Sequence, residues 1–273
     1  MSIFHKNHKR GQKANTSKRQ TYLLSEKSPF NLTEAFRSLK VSLSVSIPKQ
    51  RDGIGSSFLC CSSFPMEGKT MTSANIALMF AQSNGKVVLA DTDLRAGRIG
   101  NYFKMCHTPG LSDYLSGQAT LDEILRPCKY SPNLYIVTRG TQTARPYELL
   151  SNDVMKKFND ELKARFSYVF YDSSPLRVVP DALAVAPIAD GTFLVVRHQF
   201  SYQSDVRQAN ESLKFVKASV LGIVVNDYKH EKYKKKNSRS AYYSYESYYS
   251  EQDFEPESAT ENAPENASEG SNK

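Results

Sequence analysis

One stretch, residues 56–93, limits the fold of this chain more than any other. It begins with an apolar run from Phe58 to Cys61, continues through a tight loop that ends in Gly68-Lys69-Thr70, and then has the pattern of a helix up to about Gln82. A second apolar run extends from Lys86 to Asp91. A strand, a loop, a helix and a second strand in this order place backbone N–H groups, a lysine and the positive end of a helix around one point. The stretch therefore predicts a binding site for a polyphosphate.

The loop indicates which residues would contact such a ligand. Lys69 would reach the outer phosphates, and the Thr70 hydroxyl would ligate Mg2+. The strict loop pattern requires glycine where this chain has Ser63, and Met66 stands where many such loops have another glycine. We expect the nucleotide to be bound by the loop and the first helical turn, namely Ser63, Phe64, Pro65, Met66, Glu67, Gly68, Lys69, Thr70 and Met71.

Carboxylates stand at the ends of two apolar runs. Residues 168–172 end in Asp172, at a position from which a carboxylate can orient Mg2+ and its waters. Asp91 and Asp93 end the other run, and open α/β sheets bind ligands at such carboxyl ends. Two interpretations stay open. Either these aspartates belong to a nucleotide and magnesium site, or the Gly-Lys-Thr turn only joins a strand to a helix and the aspartates are capping residues.

Strands alternate with helices along the rest of the sequence. Apolar runs predict three more strands, at residues 134–137, 193–196 and 220–225. Helices are expected over residues 146–150 and from about 203 to 216, and residues 97–130 are expected to be a short helical region. This alternation predicts an α/β fold with a doubly wound, mainly parallel sheet and helices on both faces.

Charge and composition restrict the partners of the chain. The net charge of +8 is modest and uneven, because the first 20 residues carry six basic and no acidic residues whereas the sequence after Ser240 is mostly acidic. No apolar run approaches the roughly 20 residues of a membrane helix, and no signal-peptide core is present. We expect a cytoplasmic protein, at most peripherally attached to a membrane, with no nucleic-acid partner. The basic N-terminus is either a solvated tail or a weak contact to an anionic membrane or partner.

A helix is expected before the first strand. Asn31 to Glu34 has the pattern of a capping box, and an apolar face follows at helical spacing, formed by Leu32, Phe36, Leu39 and Leu43. Beside this face, Glu34, Arg37 and Lys40 form a charged stripe. The stripe is either a solvated surface or a seam between subunits.

The C-terminal region differs in character from the predicted sheet. A lysine-rich linker extends to Arg239 and is followed by five tyrosines within eight residues, Tyr242, Tyr243, Tyr245, Tyr248 and Tyr249. Serine and glutamate separate the tyrosines and no aliphatic residue supports them, so the segment cannot form a core. It is either a functional tail or low-complexity sequence.

These motifs together resemble the bacterial tyrosine kinases, regulators of capsule and exopolysaccharide synthesis whose kinase domain is related to the MinD/ParA class of P-loop ATPases. Residues 28–40 resemble the family's oligomerisation helix, normally Glu-x-x-Arg-x-x-Arg, with Lys40 in place of the last arginine. Residues 62–70 resemble its Walker A motif and residues 88–95 its Walker A-prime motif. Residues 171–175 resemble Walker B, with two serines in place of Thr-Pro, and the tyrosine cluster resembles the autophosphorylation tail.

The resemblance implies a protein-tyrosine kinase that transfers the γ-phosphate of ATP to the tyrosine cluster of a neighbouring subunit in a ring-like homo-oligomer, expected to be an octamer. Its catalytic residues would be Lys69, Asp91 and Asp93, with Asp91 accepting the tyrosine proton, and its Mg2+ ligands would be Thr70, Asp91 and Asp172. Asn226 would contact adenine or be only a turn residue. The seam between subunits would involve Glu34, Arg37 and Lys40.

The resemblance also implies partners and boundaries. Because it contains no membrane segment, the chain resembles the split form of the family, in which a membrane-bound polysaccharide co-polymerase supplies an activating tail; a cognate phosphotyrosine phosphatase is a further expected partner. The chain would divide into a basic arm at 1–27, a kinase domain at 28–229, and a linker with the tyrosine-rich tail at 230–273.

Two other functions stay open. A ParA/MinD-like ATPase that positions cargo would share the sheet and the acidic motifs, but such proteins usually carry a lysine early in the loop, where this chain has Phe64-Pro65. That function also gives the tyrosines no role. A catalytically weak nucleotide-binding scaffold of the polysaccharide machinery is suggested by the departures at Ser63, Met66 and Lys40.

Overall fold

The structure is a computed structural model that describes residues 23–25, 27–46, 53–82 and 85–228. The lysine-rich linker, the tyrosine cluster and most of the basic arm lie outside the described residues. What the sequence implies for these segments stays a prediction.

The strands of the described region form a single mixed sheet. In chain order they are β1 (Ser56–Ser62), β2 (Val87–Asp91), β3 (Arg126–Pro127), β4 (Leu134–Val137), β5 (Tyr168–Asp172), β6 (Gly191–Arg197) and β7 (Val220–Asn226). The spatial order is β3-β4-β2-β5-β1-β6-β7, and every neighbouring pair is parallel except β3 with β4. The predicted doubly wound, mainly parallel sheet is confirmed, and only the two-residue β3 was not predicted as a strand.

Helices connect these strands. They are α1 (Phe30–Ser46), α2 (Lys69–Ala81), α3 (Ile99–Phe103), α4 (Leu111–Leu115), α5 (Leu121–Ile124), α6 (Pro146–Leu150), α7 (Asp153–Arg165), α8 (Asp181–Val185) and α9 (Gln203–Phe215). Helices α7 and α8 were not predicted. Helix α7 carried a readable signal, because Met155, Phe158 and Leu162 are buried at helical spacing and the Asn152 side chain caps its first turn, accepting from the Met155 N–H at 3.1 Å. No helix in the described part of the chain is both long and apolar enough to cross a membrane.

The sheet is buried on both faces. All residues of β1 and β2 are buried, as expected for central strands of a parallel sheet. One hydrophobic cluster lies on the face that α7 and α9 cover, and a second lies on the face that α1 and α2 cover. In the second cluster the rings of Phe58 and Phe170 stack with centroids 5.1 Å apart, and Phe80 of α2 meets Phe170 edge-on at 5.2 Å. This packing fixes α2, and therefore its N-terminus, against the centre of the sheet.

The start of α1 differs from the prediction. The helix begins at Phe30, and the backbone N–H groups of Leu32 and Thr33 both donate to the Pro29 carbonyl at 3.1 Å. The predicted capping box is therefore wrong, because Asn31 lies inside the first turn, where its side chain accepts from the Leu32 N–H at 2.8 Å. The predicted apolar face is confirmed: Phe36 and Leu43 are buried in the α2-side cluster, with Leu32 and Leu39 packed against it.

The packed region also extends upstream of residue 28. Leu23 and Leu24 pack against the α2-side cluster, and the Leu24 N–H donates to Oδ1 of Asn75 at 2.7 Å. Asn75 is fully buried in the middle of α2, so this hydrogen bond satisfies an acceptor that would otherwise be costly to bury. The end of the basic arm is thus attached to the helix that carries Lys69 and Thr70.

Candidate active site

The predicted site residues converge because parallel strands end at one edge of the sheet. Asp91 and Asp172 are the last residues of β2 and β5 and lie side by side in register. Strand β1 flanks β5 on the other side, with Cys60 opposite Asp172. The loop after β1 leads directly into α2, so the phosphate loop lies over the ends of these strands.

Lys69, Thr70 and Asp172 are in direct contact. Lys69 Nζ donates to Oδ1 of Asp172 at 2.7 Å, and the Thr70 hydroxyl donates to Oδ2 of the same carboxylate at 2.7 Å. The Lys69 and Asp172 side chains are 8% and 1% exposed. Burial alone lowers the pKa of Lys69, but the charge of Asp172, the hydrogen bond to it and the charge of Asp93 outweigh burial, so the pKa lies above its ordinary value. Lys69 is therefore a cation fixed at the N-terminus of α2.

The phosphate loop needs left-handed backbone at two positions. Gly68 has φ +94°, and a Cβ at this position would lie 1.8 Å from Nδ2 of Asn226, so only glycine fits. Met66 has φ +72° and its side chain is 53% exposed. A methionine in this conformation costs about 1 kcal/mol or more relative to glycine. The usual loop pattern has glycine at this position because the backbone there is left-handed. Met66 adopts the same conformation with strain.

Hydrogen bonds made by Glu67 and Asn226 stabilise the phosphate loop. The buried Glu67 carboxylate accepts from the Phe64 N–H at 2.9 Å and also accepts from the Ser201 hydroxyl. The Asn226 amide donates to the Glu67 carbonyl at 3.0 Å. The side chains of Glu67 and Asn226 thus stabilise the loop from inside the protein, and the contact between Asn226 and adenine stays a prediction.

Two buried hydroxyls at this edge have no hydrogen-bond partner among the described residues, Ser63 Oγ and Ser174 Oγ. Ser63 begins the loop, and its carbonyl accepts from the Arg177 N–H at 3.0 Å, which ties the loop to the segment after β5. Unsatisfied buried hydroxyls are uncommon in folded proteins and are found where a ligand or water supplies the partner. Ser63 and Ser174 therefore suit a site for an oxygen-rich ligand. Of the other predicted loop residues, Phe64 and Pro65 are exposed and Met71 is half-buried in α2.

Asp91 is fully buried and held by backbone. Its carboxylate accepts from the Ile99 N–H at 3.0 Å and the Asp93 N–H at 3.2 Å, and a Cβ on Gly97 would lie 2.4 Å from Oδ2. Burial raises the pKa of Asp91 well above its ordinary value and the negative charge of Asp172 raises it further, while the Ile99 hydrogen bond and Lys69 oppose both. A carboxylate with a raised pKa is a better proton acceptor than an ordinary one.

Asp93 is half-buried beside the site, and its Oδ1 accepts from the Ala96 N–H at 3.0 Å. Asp91 and Asp93 therefore hold the loop between β2 and α3, which is the capping role that the sequence left open. At the same time Asp91 adjoins Asp172 in the sheet. The two interpretations are compatible.

The donor set suits Mg2+ bound together with a nucleotide. Mg2+ is usually held by one or two protein oxygens with the remaining positions filled by phosphates and water. Thr70 and Asp172 offer such oxygens 2.7 Å apart. Among the described residues no group of three or more His, Cys, Asp or Glu side chains could hold a metal ion by itself.

The charged stripe on α1 is divided. Arg37 forms an ion pair with Glu34 at the surface. Lys40 instead donates to the Met79 carbonyl at 3.2 Å, and its Nζ lies 5.7 Å from the centroid of the Phe80 ring. Burial, followed by the charge of Arg37, lowers the pKa of Lys40. Lys40 thus contacts the end of α2 and is not a third member of an outward-facing stripe.

Sequence reasoning missed the residues that support the site from other elements. Ser201, from the segment between β6 and α9, bonds to Glu67, and the buried Asp181 bonds to Arg95. Neither residue belongs to a motif, and each reaches the site only through the tertiary fold. Arg95 was part of a recognised motif, but nothing in the sequence indicated its partner.

Comparisons with known proteins identify relatives of this chain. No protein-family model matches the chain. The chain is similar to the tyrosine-protein kinase CpsD of Streptococcus agalactiae, with 35% identity over 162 residues, which are 59% of this chain and 70% of that protein. It is similar to the tyrosine-protein kinase YwqD of Bacillus subtilis, with 28% identity over 225 residues, which are 82% of this chain and 92% of that protein. Some relatives are much longer: the chain matches about a quarter, 26%, of the tyrosine-protein kinase ptk of Acinetobacter johnsonii, at 26% identity over 194 residues.

Solved structures show the same fold. The kinase domain of the Escherichia coli tyrosine kinase ETK superimposes with a TM-score of 0.67 at 25% identity, covering 79% of this chain and 88% of that domain. The cell division ATPase MinD of Pyrococcus furiosus superimposes with a TM-score of 0.56 at 20% identity, covering 66% of this chain and 75% of that protein. The likeness to MinD shows the fold alone.

Proposed function

The chain belongs to the bacterial tyrosine-kinase family, and we propose that it is an ATP-dependent protein-tyrosine kinase. Each subunit would phosphorylate the tyrosine cluster of a neighbouring copy of the same chain. The cluster consists of Tyr242, Tyr243, Tyr245, Tyr248 and Tyr249. The observation that supports this proposal best is the contact of Lys69 and Thr70 with Asp172 at 2.7 Å, with the buried Asp91 beside them. These residues bring together a fixed cation, a hydroxyl and two carboxylates at the N-terminus of a helix.

Each group has a chemical role in phosphoryl transfer. Lys69 and the N-terminal N–H groups of α2 stabilise the negative charge on the transferring phosphate of ATP. Thr70 and Asp172 would hold Mg2+, which neutralises charge on the phosphates. Asp91 accepts the proton of the acceptor tyrosine, because burial, followed by the charge of Asp172, raises its pKa above that of an ordinary carboxyl group and makes it a better proton acceptor. Asp93 supports Lys69 through its charge.

Transfer between subunits is geometrically reasonable. About 14 residues join Tyr228 to Tyr242, and such a segment spans at most ~46 Å when extended and near 20 Å on average as a flexible coil. The homo-oligomer, expected to be a ring of eight, would use the exposed ion pair of Glu34 and Arg37 on α1. Lys40 is engaged with α2 and would contribute indirectly, by fixing the position of α1.

The remaining parts of the proposal depend on the family resemblance alone. The kinase would regulate capsule or exopolysaccharide synthesis at the inner face of the membrane, bound to a membrane protein that activates it, and a phosphotyrosine phosphatase would reverse its action. Each phosphotyrosine adds about −1.5 to −2 charges to an already acidic tail, so we expect phosphorylation to release the tail and loosen the ring. An oligomer mass that is unchanged after full phosphorylation would contradict this expectation.

A phosphosite map tests the proposal. Purified full chain is incubated with Mg-ATP and analysed by mass spectrometry, alongside Lys69→Met and a variant with the five clustered tyrosines changed to Phe. Mixing Lys69→Met with the Tyr→Phe variant tests transfer between subunits, because the first supplies the acceptor tail and the second supplies the active site. We expect phosphate on the tail of the mixed sample and none on Lys69→Met alone. No phosphate in any sample, even with a candidate membrane activator added, would favour the nucleotide-binding scaffold that the strained Met66 suggests.

A further inference from the structure

We propose that Arg95 and Arg139 form a cationic subsite, here called the arginine subsite, that binds the acidic side chains next to the acceptor tyrosines. The inference depends on the proposed function and specifies its substrate class: tyrosine peptides with acidic flanks. The arginine subsite recognises the residues beside the tyrosine, whereas Lys69 and Asp172 act on the phosphate and Asp91 acts on the tyrosine hydroxyl.

Arg95 is positioned rigidly with part of its guanidinium toward solvent. Its Nε and Nη2 donate to the two oxygens of Asp181 at 2.6 and 3.2 Å. The Asp181 side chain is fully buried, whereas that of Arg95 is 44% exposed. A buried carboxylate therefore fixes the arginine from behind, and such bidentate pairs are geometrically specific.

Arg139 lies beside Arg95 and lacks an ion-pair partner. It follows β4 in the chain, and its Nη1 donates to the Arg95 carbonyl at 3.4 Å. Its Nε is buried and has no hydrogen-bond partner among the described residues, and no carboxylate in the described region pairs with it. Nearby His107 also has a buried nitrogen, Nδ1, without a partner in the same region. Burial, followed by the charges of Arg139 and Arg126, lowers the pKa of His107, as expected beside a cationic cluster.

The arginine subsite adjoins the catalytic residues along one edge of the sheet. Asp93 is two residues from Arg95 in the chain, and its charge acts on both Lys69 and Arg95. Strands β5, β2 and β4 are neighbours in the sheet, and they carry Asp172, Asp91 and, just beyond β4, Arg139 at their carboxyl ends. A peptide with a tyrosine at Asp91 would thus place its flanking side chains over Arg95 and Arg139.

The tail has the complementary charge. After Ser240 the sequence contains eight acidic residues and a single basic residue, Lys273. Glu246 lies within the tyrosine cluster and Glu251 follows Tyr249 by two residues. An unpaired guanidinium beside a site that already holds two carboxylates is best explained by a carboxylate that arrives with the substrate.

Kinetic measurements on the full chain test the inference. The substrate is a synthetic peptide of residues 240–257, compared with the same peptide in which Glu246 and Glu251 are changed to Gln. The enzymes are the native chain, Arg139→Gln and the control Arg207→Gln, whose exposed arginine lies on α9. We expect Arg139→Gln to raise KM for the native peptide about fivefold with kcat within twofold, an effect typical of one partly screened ion pair. The Gln peptide should show a similar loss with the native chain and no further loss with Arg139→Gln.

Two outcomes would overturn the inference. One is an Arg139→Gln variant that behaves like Arg207→Gln, and the other is a pair of losses that simply add when the variant and the Gln peptide are combined. Arg139→Lys separates charge from structure, because it keeps the cation and should retain most of the peptide affinity. A purely structural role would be lost in both substitutions.

Peptide binding can be measured without phosphate transfer, so the arginine subsite can be tested even if the chain is not a kinase. Fluorescence anisotropy of the labelled peptides with the full-length variants requires no phosphate transfer. If the native chain transfers no phosphate, the kinase proposal fails, but the anisotropy still decides the subsite: the native peptide should bind about fivefold more tightly than the Gln peptide, less so at high salt. Equal binding of the two peptides would contradict the arginine subsite whether or not the chain is active.

Discussion

The two opposite edges of the sheet each hold a lysine-aspartate pair at the same distance. At the carboxyl edge, Lys69 Nζ lies 2.7 Å from Asp172, and at the amino edge, Lys163 Nζ lies 2.7 Å from Asp190. The surroundings differ. Asp190 also accepts from the backbone N–H of Ser57 at 2.8 Å and from the Ser57 hydroxyl at 3.1 Å. Asp172 instead has the buried Asp91 as its neighbour and Thr70 as its second partner.

The difference shows how one contact serves two purposes. The amino-edge pair is partly exposed and ties helix α7 to the start of β1 and β6, so it stabilises the fold. The carboxyl-edge pair concentrates like charges, unpaired hydroxyls and a strained loop at one point, which is unfavourable for folding and useful for binding phosphate. A lysine-aspartate ion pair therefore does not by itself indicate function. The residues around the pair determine whether it stabilises the fold or takes part in catalysis.

Lys69→Met should have the largest effect. Removing the cation leaves the developing charge of the transferred phosphate unstabilised, and we expect a loss of about 1,000-fold or more in the rate of tyrosine phosphorylation. The rate is measured by quantitative mass spectrometry of the tail, and circular dichroism checks the fold. If Lys69→Met retained a tenth of the native rate, Lys69 would not be a catalytic residue.

Asp91→Asn should separate activity from stability. If Asp91 accepts the tyrosine proton, its loss lowers kcat about 100-fold to 10,000-fold. The same carboxyl group destabilises the fold at higher pH. Its pKa is about 4 in the unfolded chain and is raised in the folded chain, so the folded state prefers the protonated acid. The free energy of unfolding therefore falls as the pH rises from about 4 through the raised pKa of the folded state. The Asn variant lacks this loss.

The stability of Asp91→Asn is measured by urea unfolding across a pH series. The difference in the free energy of unfolding between variant and native chain should grow with pH in favour of the variant, then become constant. A difference that does not depend on pH would show that the carboxyl of Asp91 is not protonated more readily in the folded state.

Lys163→Met tests the amino edge. We expect a loss of about 1–2 kcal/mol in the free energy of unfolding, because a half-buried Asp190 loses its cation but keeps two donors from Ser57. Urea unfolding measures the loss. Phosphorylation of the tail should stay within twofold of the native rate once the folded fraction is equal, and a catalytic defect beyond that would make the two edges energetically coupled.

Met66→Gly should have the smallest effect on stability, a gain of about 0.5 kcal/mol, because relief of the left-handed strain slightly exceeds the added entropy of glycine in the unfolded chain. Lys217→Gly is the matched control, since Lys217 has φ +58° just beyond α9. Both variants should gain similar stability in thermal unfolding, but only Met66→Gly should change KM for ATP. An equal change of KM in both variants would show that Met66 has no specific role in binding the nucleotide.

Elements with a local signal were predictable from sequence. Strands β1, β2, β4, β5, β6 and β7 and helices α2 and α9 follow from apolar periodicity, and the order of the strand ends brings Lys69, Thr70 and Asp172 into contact. Helix α7 also has a regular apolar pattern, formed by Met155, Phe158 and Leu162, so its position can be read from the sequence. The two-residue β3 exists only through its pairing with β4, so no local pattern could predict it.

Side-chain partners were not predictable when they depend on tertiary packing. Lys40 is part of a charged stripe in the sequence, yet its long apolar stem reaches over Phe80 to the end of α2. Asn226 is the last residue of β7, and only the parallel neighbour β6 and the left-handed backbone at Gly68 bring its amide to the Glu67 carbonyl. Asp181 behind Arg95 likewise depends on the placement of α8.

The most direct test of the contrast between the two edges is a side-by-side phosphosite measurement of Lys69→Met and Lys163→Met with Mg-ATP, after thermal unfolding has shown that both are folded. We expect Lys69→Met to carry no tail phosphate above background and Lys163→Met to be phosphorylated at nearly the native rate. Comparable loss in both variants, or tail phosphate on Lys69→Met, would contradict the assignment of catalysis to the carboxyl edge.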